Sequence, residues 1–240
     1  MAAVDYLPLR KRRSMTPPLM LSELRIILLG KNHSETSSVG NFILGRAAFE
    51  TEVPPHSVDQ HSESARGWVE ERYITIINAP HLYNPELTQT TERLKECVSL
   101  TAPGPHAFLL VVQPQNFTEE DTNQLKHLLN CFSDQAVNYS KLISTGWEAE
   151  EEKSASFNKF LDECDGRFHR LKLLDKFDKT LVCRLFQEID KLVKINGSHL
   201  TCEIFEDAEE TLQHYDKNGK DEERKRVSCS EDKSKKPVTV

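Results

Sequence analysis

The residues that most invite a chemical reading are Gly30-Lys31-Asn32-His33-Ser34-Glu35-Thr36-Ser37, which follow directly on the apolar run Leu24 to Leu29. A buried strand, a loop opening on glycine and a following helix form the layout of a phosphate-binding loop, G-x-x-x-x-G-K-S/T. In that loop backbone amides cradle the phosphates, a lysine meets their charge and a hydroxyl ligates magnesium. Gly30 and Ser37 match the pattern, whereas Glu35 stands at the second glycine and Thr36 at the lysine. Other chemistries leave weaker traces. No G-x-S-x-G elbow marks a hydrolase nucleophile. The six cysteines (Cys97, Cys131, Cys164, Cys183, Cys202 and Cys229) stand singly, without C-x-x-C or zinc spacing, as reduced structural thiols do.

The elements that would carry such a loop can be read along the chain. Its 240 residues suffice for one sizeable domain with appendages. Hydrophobic residues make up 38% and charged ones 29%, with mean hydropathy −0.55, so part of the length is expected to be solvated helix or tail. A net charge of −7 argues against a nucleic-acid binder. No run approaches the roughly 18 apolar residues of a membrane span, and the start lacks an apolar signal core. Residues 1–22, with the basic run Arg10 to Arg13, read as a flexible leader. Leu24–Leu29 reads as a strand buried on both faces, Ser37–Leu44 as a helix, and Trp68–Ile77 as two strands around a charged turn. Thr90–Leu100 is amphipathic, Ala107–Val112 is a buried strand, and Thr118 with its acidic followers caps a helix. Tyr139–Ser144 and Arg167–Leu171 read as strands. Helices are predicted from Ser154 to Asp165-Gly166 and from Thr180 to a stop at Asn196-Gly197. Residues 201–240 read as a charged helical or disordered tail. The alternation predicts a three-layer α/β domain over residues 23–200, a mostly parallel sheet with helices on both faces and a C-terminal helical extension. In such a sheet the site lies at the carboxyl ends of the strands.

Taken together, Leu24 to Gly45, the box Ser99-Leu100-Thr101-Ala102-Pro103-Gly104-Pro105-His106-Ala107-Phe108-Leu109-Leu110-Val111, Phe117 to Asp121, Cys164 to His169 and Lys194 to Gly197 resemble the GTPases of immunity-associated proteins, the GIMAP family. The resemblance spans residues 22–200. It implies a Ras-like G domain of the P-loop class that binds GTP or GDP with Mg2+ and, in several members, pairs or polymerises through its nucleotide face. Carried over position by position, it meets substitutions throughout. Thr36 replaces the phosphate-binding lysine, Glu35 brings a carboxylate into the cradle, and Lys31 lies at the loop's outer edge. Ser37 keeps the magnesium-ligating hydroxyl. Asp59 stands where the switch threonine belongs. The D-x-x-G motif reads Asn78-Ala79-Pro80-His81, so Asn78 removes a magnesium-holding carboxylate and His81 removes the glycine that meets the γ-phosphate. The guanine-reading motif reads Ser144-Thr145-Gly146-Trp147, with Trp147 in place of the aspartate, and the last base loop has Lys172 and Leu173 for an Asn-Asn pair.

These substitutions lead to two functional expectations. One is a pseudo-GTPase interaction module whose partners are proteins, GTP-binding relatives or a second copy, engaged through the nucleotide face. The other is a GTP-binding switch with nucleotide-dependent dimerisation and little hydrolysis; it would need an electropositive cleft lined by free amides around Ser34 to Ser38. No catalytic residue is assigned, and turnover is not expected. His33, His81 and His106 are read as loop histidines, Trp68 and Trp147 as packing residues, with Trp147 filling the vacated base pocket. The chain ends in Lys233 to Val240 without the hydrophobic segment of membrane-anchored family members, and cytoplasmic residence is expected.

Overall fold

In the computed structural model the described residues are 23–52, 62–83, 90–146, 153–173, 178–201 and 205. The leader, most of the C-terminal extension, Asp59 and Trp147 lie outside them. Six strands form one sheet: β1 (Glu23–Gly30), β2 (Glu63–Val69), β3 (Arg72–Asn78), β4 (Ala107–Val111), β5 (Ser140–Ser144) and β6 (Phe168–Arg170), in the order β2-β3-β1-β4-β5-β6. Only β2, joined to β3 by a tight turn, runs antiparallel. Five α-helices complete the described domain: α1 (His33–Leu44), α2 (Thr90–Thr101), α3 (Glu119–Phe132), α4 (Ala155–Glu163) and α5 (Lys179–Asn196).

The continuous apolar strands follow from covering the sheet on both sides. Ile27 and Leu29 of β1 join a core with Leu94 of α2, Leu125 of α3 and Phe157 of α4. Ile26 and Leu28 turn the other way, onto Val39 and Ile43 of α1 and Leu185 and Ile189 of α5. α3 begins at the Thr118 cap read from the sequence, and the structure completes it as a capping box: the Thr118 hydroxyl accepts from the Asp121 amide and the Asp121 carboxylate accepts from the Thr118 amide. α5 ends at Gly197, whose φ of 90° lets its amide reach the Val193 carbonyl. Burial pushes the thiols of Cys97 and Cys164 up to about 12, so both stay protonated packing groups.

Three sequence expectations change here. β2 begins at Glu63, five residues before the predicted start at Trp68, because its exposed face carries polar residues in place of an apolar run. α1 starts at His33, four residues before the predicted start at Ser37, because Asn32 caps it. Trp68 is not a packing residue: it is 70% exposed, on the edge strand.

The Ala-Pro-Gly-Pro-His box lies at the end of the sheet remote from the carboxyl ends of the strands. There the His106 amide donates to the Arg25 carbonyl (2.8 Å), and Nδ1 of His106 accepts from the Arg25 amide (3.0 Å). Burial, and then the positive charge of Arg25, push this imidazole down to about 3, so it is neutral in the fold. Unfolded, it titrates near 6.5. Between those values only the unfolded chain takes up the proton, so this stability is complete above about pH 6.5 and is lost as pH falls. The expected slope is about 1.4 kcal/mol per pH unit, or about 2 kcal/mol between pH 7 and 5. Denaturant titrations across that range should show it, and His106→Asn, which keeps an acceptor near Nδ1, should flatten the profile by one proton. An unchanged slope would refute the assignment.

Candidate functional site

The carboxyl ends of β1, β3 and β4 meet in register, Leu28 beside Asn78 and Gly30 beside Val111. The sequence-derived phosphate-loop residues gather there, but not as a loop. Only Lys31 and Asn32 separate β1 from α1. Asn32 Oδ1 accepts from the Glu35 amide at 3.3 Å, and the Asn32 carbonyl accepts from the Thr36 amide at 3.0 Å. Two amides at cradle positions are thus engaged in a capped helix turn. Thr36 is fully buried and its hydroxyl donates to the His33 carbonyl at 2.9 Å. A Cβ at Gly30 would lie 2.7 Å from the Val111 carbonyl oxygen and 2.8 Å from the Thr36 methyl, so strand, threonine and β4 close on one another here.

The magnesium position is engaged in the same way. Ser37 and Asn78 are both fully buried, and Asn78 Nδ2 donates to Ser37 Oγ at 2.9 Å, while Asn78 Oδ1 is buried without a hydrogen bond. An amide donor is thus directed at the oxygen that would ligate the cation. His81 is buried in the 3-10 turn Pro80–Tyr83, with Nε2 3.3 Å from Ser62 Oγ.

Asp121 organises the outer rim. Its Oδ1 accepts from the Tyr83 hydroxyl (2.7 Å) and from Lys31 Nζ (3.2 Å), and its Oδ2 from the Thr118 amide and hydroxyl. Burial raises this carboxyl's pKa, but the donors, Tyr83 foremost, outweigh it and hold the group below its ordinary range. Tyr83 is pushed up by burial and by the same carboxylate. Lys31, the cation nearest the loop, is therefore already paired. Glu35 accepts from Gln113, beyond β4. These groups surround a cleft of about 590 Å3 floored by Val111, Val112, Phe117 and Leu125, and its two carboxylates face one lysine. A magnesium-bound triphosphate does not fit this arrangement, because the hydroxyl, two amides and the lysine are engaged and Glu35 adds like charge.

Of the base-reading positions, the described ones, Thr145, Gly146 and Lys172, do not line the cleft. Thr145 and Gly146 are half-buried after β5, with the Gly146 amide 3.4 Å from Ser144 Oγ, and Lys172 is exposed after β6. Leu173 lines a neighbouring hollow of about 340 Å3 with Ser38, Asn41 and Thr51, the last of which also lines the cleft. The contributions of Asn32, Gln113, Tyr83 and Asp121 were not visible in the sequence. Of these, the Asn32 cap carried a local signal, an asparagine with a carboxylate three residues on. Among the described residues no His/Cys/Asp/Glu group could hold a metal, and no helix is long and apolar enough to cross a membrane.

Comparison with known proteins adds three results. The model of the AIG1 family matches residues 24–218. GTPase IMAP family member 8 of Homo sapiens is 28% identical over 190 residues, 74% of this chain but only 29% of the relative's length. Immune-associated nucleotide-binding protein 9 of Arabidopsis thaliana is 26% identical over 246 residues, 89% of this chain and 72% of the relative. Among solved structures, Toc33 from Arabidopsis thaliana in complex with GDP and Mg2+ is similar at TM-score 0.55 and 14% identity, over 75% of this chain and 88% of that one. A dimerisation-deficient mutant of Toc33 aligns at TM-score 0.56, over 76% of this chain and 88% of that one, again at 14% identity. At that identity the likeness is one of fold: a P-loop G domain.

Proposed function

The chain belongs to the AIG1 family of GTP-binding G domains, and on that premise we propose that it is a pseudo-GTPase, a G-domain module that works through protein contacts with guanine-nucleotide binding weakened or lost. The observation that carries this reading is the buried bond from Asn78 Nδ2 to Ser37 Oγ, which engages the magnesium ligand from within. The Asn32 cap and the Lys31–Asp121 pair support it. A charge-assisted hydrogen bond contributes roughly 1.5–3 kcal/mol, so losing the loop lysine and the guanine-reading aspartate removes about 3–6 kcal/mol. By affinity arithmetic that is about two to four decades. Without magnesium and γ-phosphate positioning, hydrolysis loses its support as well. The partners proposed are GTP-binding relatives or a second copy, met across the nucleotide face, in the cytoplasm.

Calorimetric titration of the 240-residue protein with GDP and a non-hydrolysable GTP analogue in magnesium tests the proposal. No heat of binding is expected up to about millimolar nucleotide. The combined variant Glu35→Gly, Thr36→Lys, Asn78→Asp and Trp147→Asp serves as the comparison. Binding in the micromolar range by the native chain would overturn the proposal in favour of a GTP-responsive switch.

A further inference from the structure

The far edge of the sheet offers a second surface. β2 is the last strand on its side, and among the described residues no strand pairs with its outer edge. Such an edge offers main-chain donors and acceptors to another chain unless it is blunted by proline, lysine or a bulge. Glu63 to Val69 contains neither proline nor lysine and pairs with β3 in unbroken register from Glu63–Asn78 to Val69–Arg72. Ala65 and Val69 are buried in the core under α1, so strand alternation puts Ser64, Arg66 and Trp68 on the opposite, exposed face. Trp68 and Ile195 are the large hydrophobic side chains exposed among the described residues. The indole meets Tyr73 edge-on, with 5.4 Å between ring centroids, and is held in place without being covered.

The order of residue types indicates what fits there. Ala65-Arg66-Gly67-Trp68-Val69 reads apolar, cation, glycine, aromatic, apolar, a palindrome of classes about Gly67 in which cation and aromatic exchange places. A second copy paired antiparallel about a two-fold axis through Gly67, normal to the sheet, keeps each face continuous. Arg66 then stands opposite the partner's Trp68, Trp68 opposite the partner's Arg66, and Ala65 opposite the partner's Val69. Directly opposed side chains lie within about 4.5–5.5 Å at Cβ, close enough for a guanidinium to cover an indole. The axis needs small groups, and Gly67 supplies them. The Arg66 carbonyl now accepts from exposed Arg46 Nη2 at 3.0 Å, a contact that can be exchanged for a ladder bond.

We propose that β2 is a self-association edge, on which two copies of this chain join their sheets through a Gly67-centred antiparallel pair clasped by two Arg66–Trp68 contacts. Trp68 lies beside Tyr73, at the opposite end of β3 from Asn78, so this surface is separate from the cleft and independent of any nucleotide. One strand pair with two aromatic clasps is smaller than a standard interface, and dissociation constants on the order of 10–100 µM are expected. Each chain carries a net charge of −7, so association strengthens with moderate salt.

Sedimentation velocity of the full chain across that concentration range, at physiological salt, tests the pairing. A monomer–dimer equilibrium is expected, weakened at least about tenfold by Trp68→Lys and by Arg66→Glu. Both side chains are exposed, so the melting temperature should fall by no more than about 4 °C, the share of the Trp68–Tyr73 contact. The exchange variant Arg66→Trp with Trp68→Arg restores both clasps and should recover association to within about threefold, which only this register predicts. A chain that stays monomeric, a dimer indifferent to both single substitutions, or an exchange variant as weak as the singles would each overturn the proposal.

Discussion

Asn78→Asp is expected to lower the melting temperature by about 6–20 °C at pH 7 in EDTA, corresponding to about 3–5 kcal/mol for an uncompensated buried charge in a domain of this size. Asn78 is fully buried and its amide donates to Ser37. The substitution keeps shape and volume but replaces the donor with a carboxylate in a site without a cation. The Ser37 hydroxyl can turn its proton toward the new oxygen, which sets the lower end of the range. Two further measurements separate this account from a general packing defect. Burial raises the new carboxyl's pKa in the folded state, so the deficit is present above that value and shrinks as pH falls through it, because the protonated acid again offers Ser37 a donor. Adding magnesium should return part of the lost stability, since a carboxylate beside a hydroxyl suits a hard cation. The native protein should melt at the same temperature in magnesium and in EDTA. A native melting temperature that rises with magnesium, or a variant as stable as the native chain in EDTA, would show that the Ser37–Asn78 bond does not replace the metal.

This expectation rests on something the sequence showed only in part. Periodicity and punctuation located the five parallel strands, the Thr118 cap and the Gly197 stop, because those signals are local: a run of apolar side chains, an oxygen two or three residues from an amide, a glycine with positive φ. The phosphate-loop pattern marked Glu35 and Thr36 as substituted positions, and the family resemblance marked Asn78. Neither could find what fills the space they left. Asn78 reaches Ser37 across 41 residues of chain, Lys31 reaches Asp121 across 90, and Arg25 reaches His106 across 81. Such pairs are fixed by strand order and register rather than by neighbours in sequence. The helix boundary at His33 was missed for a different reason. Alignment to a phosphate loop carries the assumption of an open loop, and the Asn32 cap with only two connecting residues overrides it. Trp68 was misplaced because an aromatic residue in a strand is usually half-covered, and only the position of β2 at the sheet edge shows otherwise.

Gly104→Ala should cost about 3 kcal/mol or more, a fall of about 6–12 °C in melting temperature, although it adds a single methyl group at the end of the sheet remote from the cleft. Gly104 has φ of +147°, and a Cβ there would lie 2.0 Å from the Leu200 carbonyl oxygen. Backbone retreat is costly on both sides. The Gly104 carbonyl accepts from Arg25 Nε at 2.7 Å, and the next carbonyl, of Pro105, accepts from the Leu200 amide at 2.8 Å. Leu200 and Phe205 are fully buried in the core beside α2 and α3, so a displaced segment after α5 leaves apolar surface unfilled. Gly166→Ala and Gly197→Ala are the controls. Both glycines have positive φ, 69° and 90°, but a Cβ at either meets nothing within 4 Å, so these variants carry only the conformational penalty, about 1 kcal/mol. The difference between Gly104→Ala and the controls reports the close approach to Leu200 together with the φ of +147°, which an L side chain adopts less readily than the controls' angles. Limited proteolysis should then cut the Gly104 variant after α5 faster than either control. Equal melting temperatures and equal cleavage in all three would mean that the box does not anchor this segment. The expected ordering would give the Ala-Pro-Gly-Pro-His box a physical role independent of nucleotide: it clamps the chain leaving α5 against the start of β1. Loss of the nucleotide contacts would leave that clamp intact, so the box can persist in a chain whose phosphate-loop positions have been filled from within.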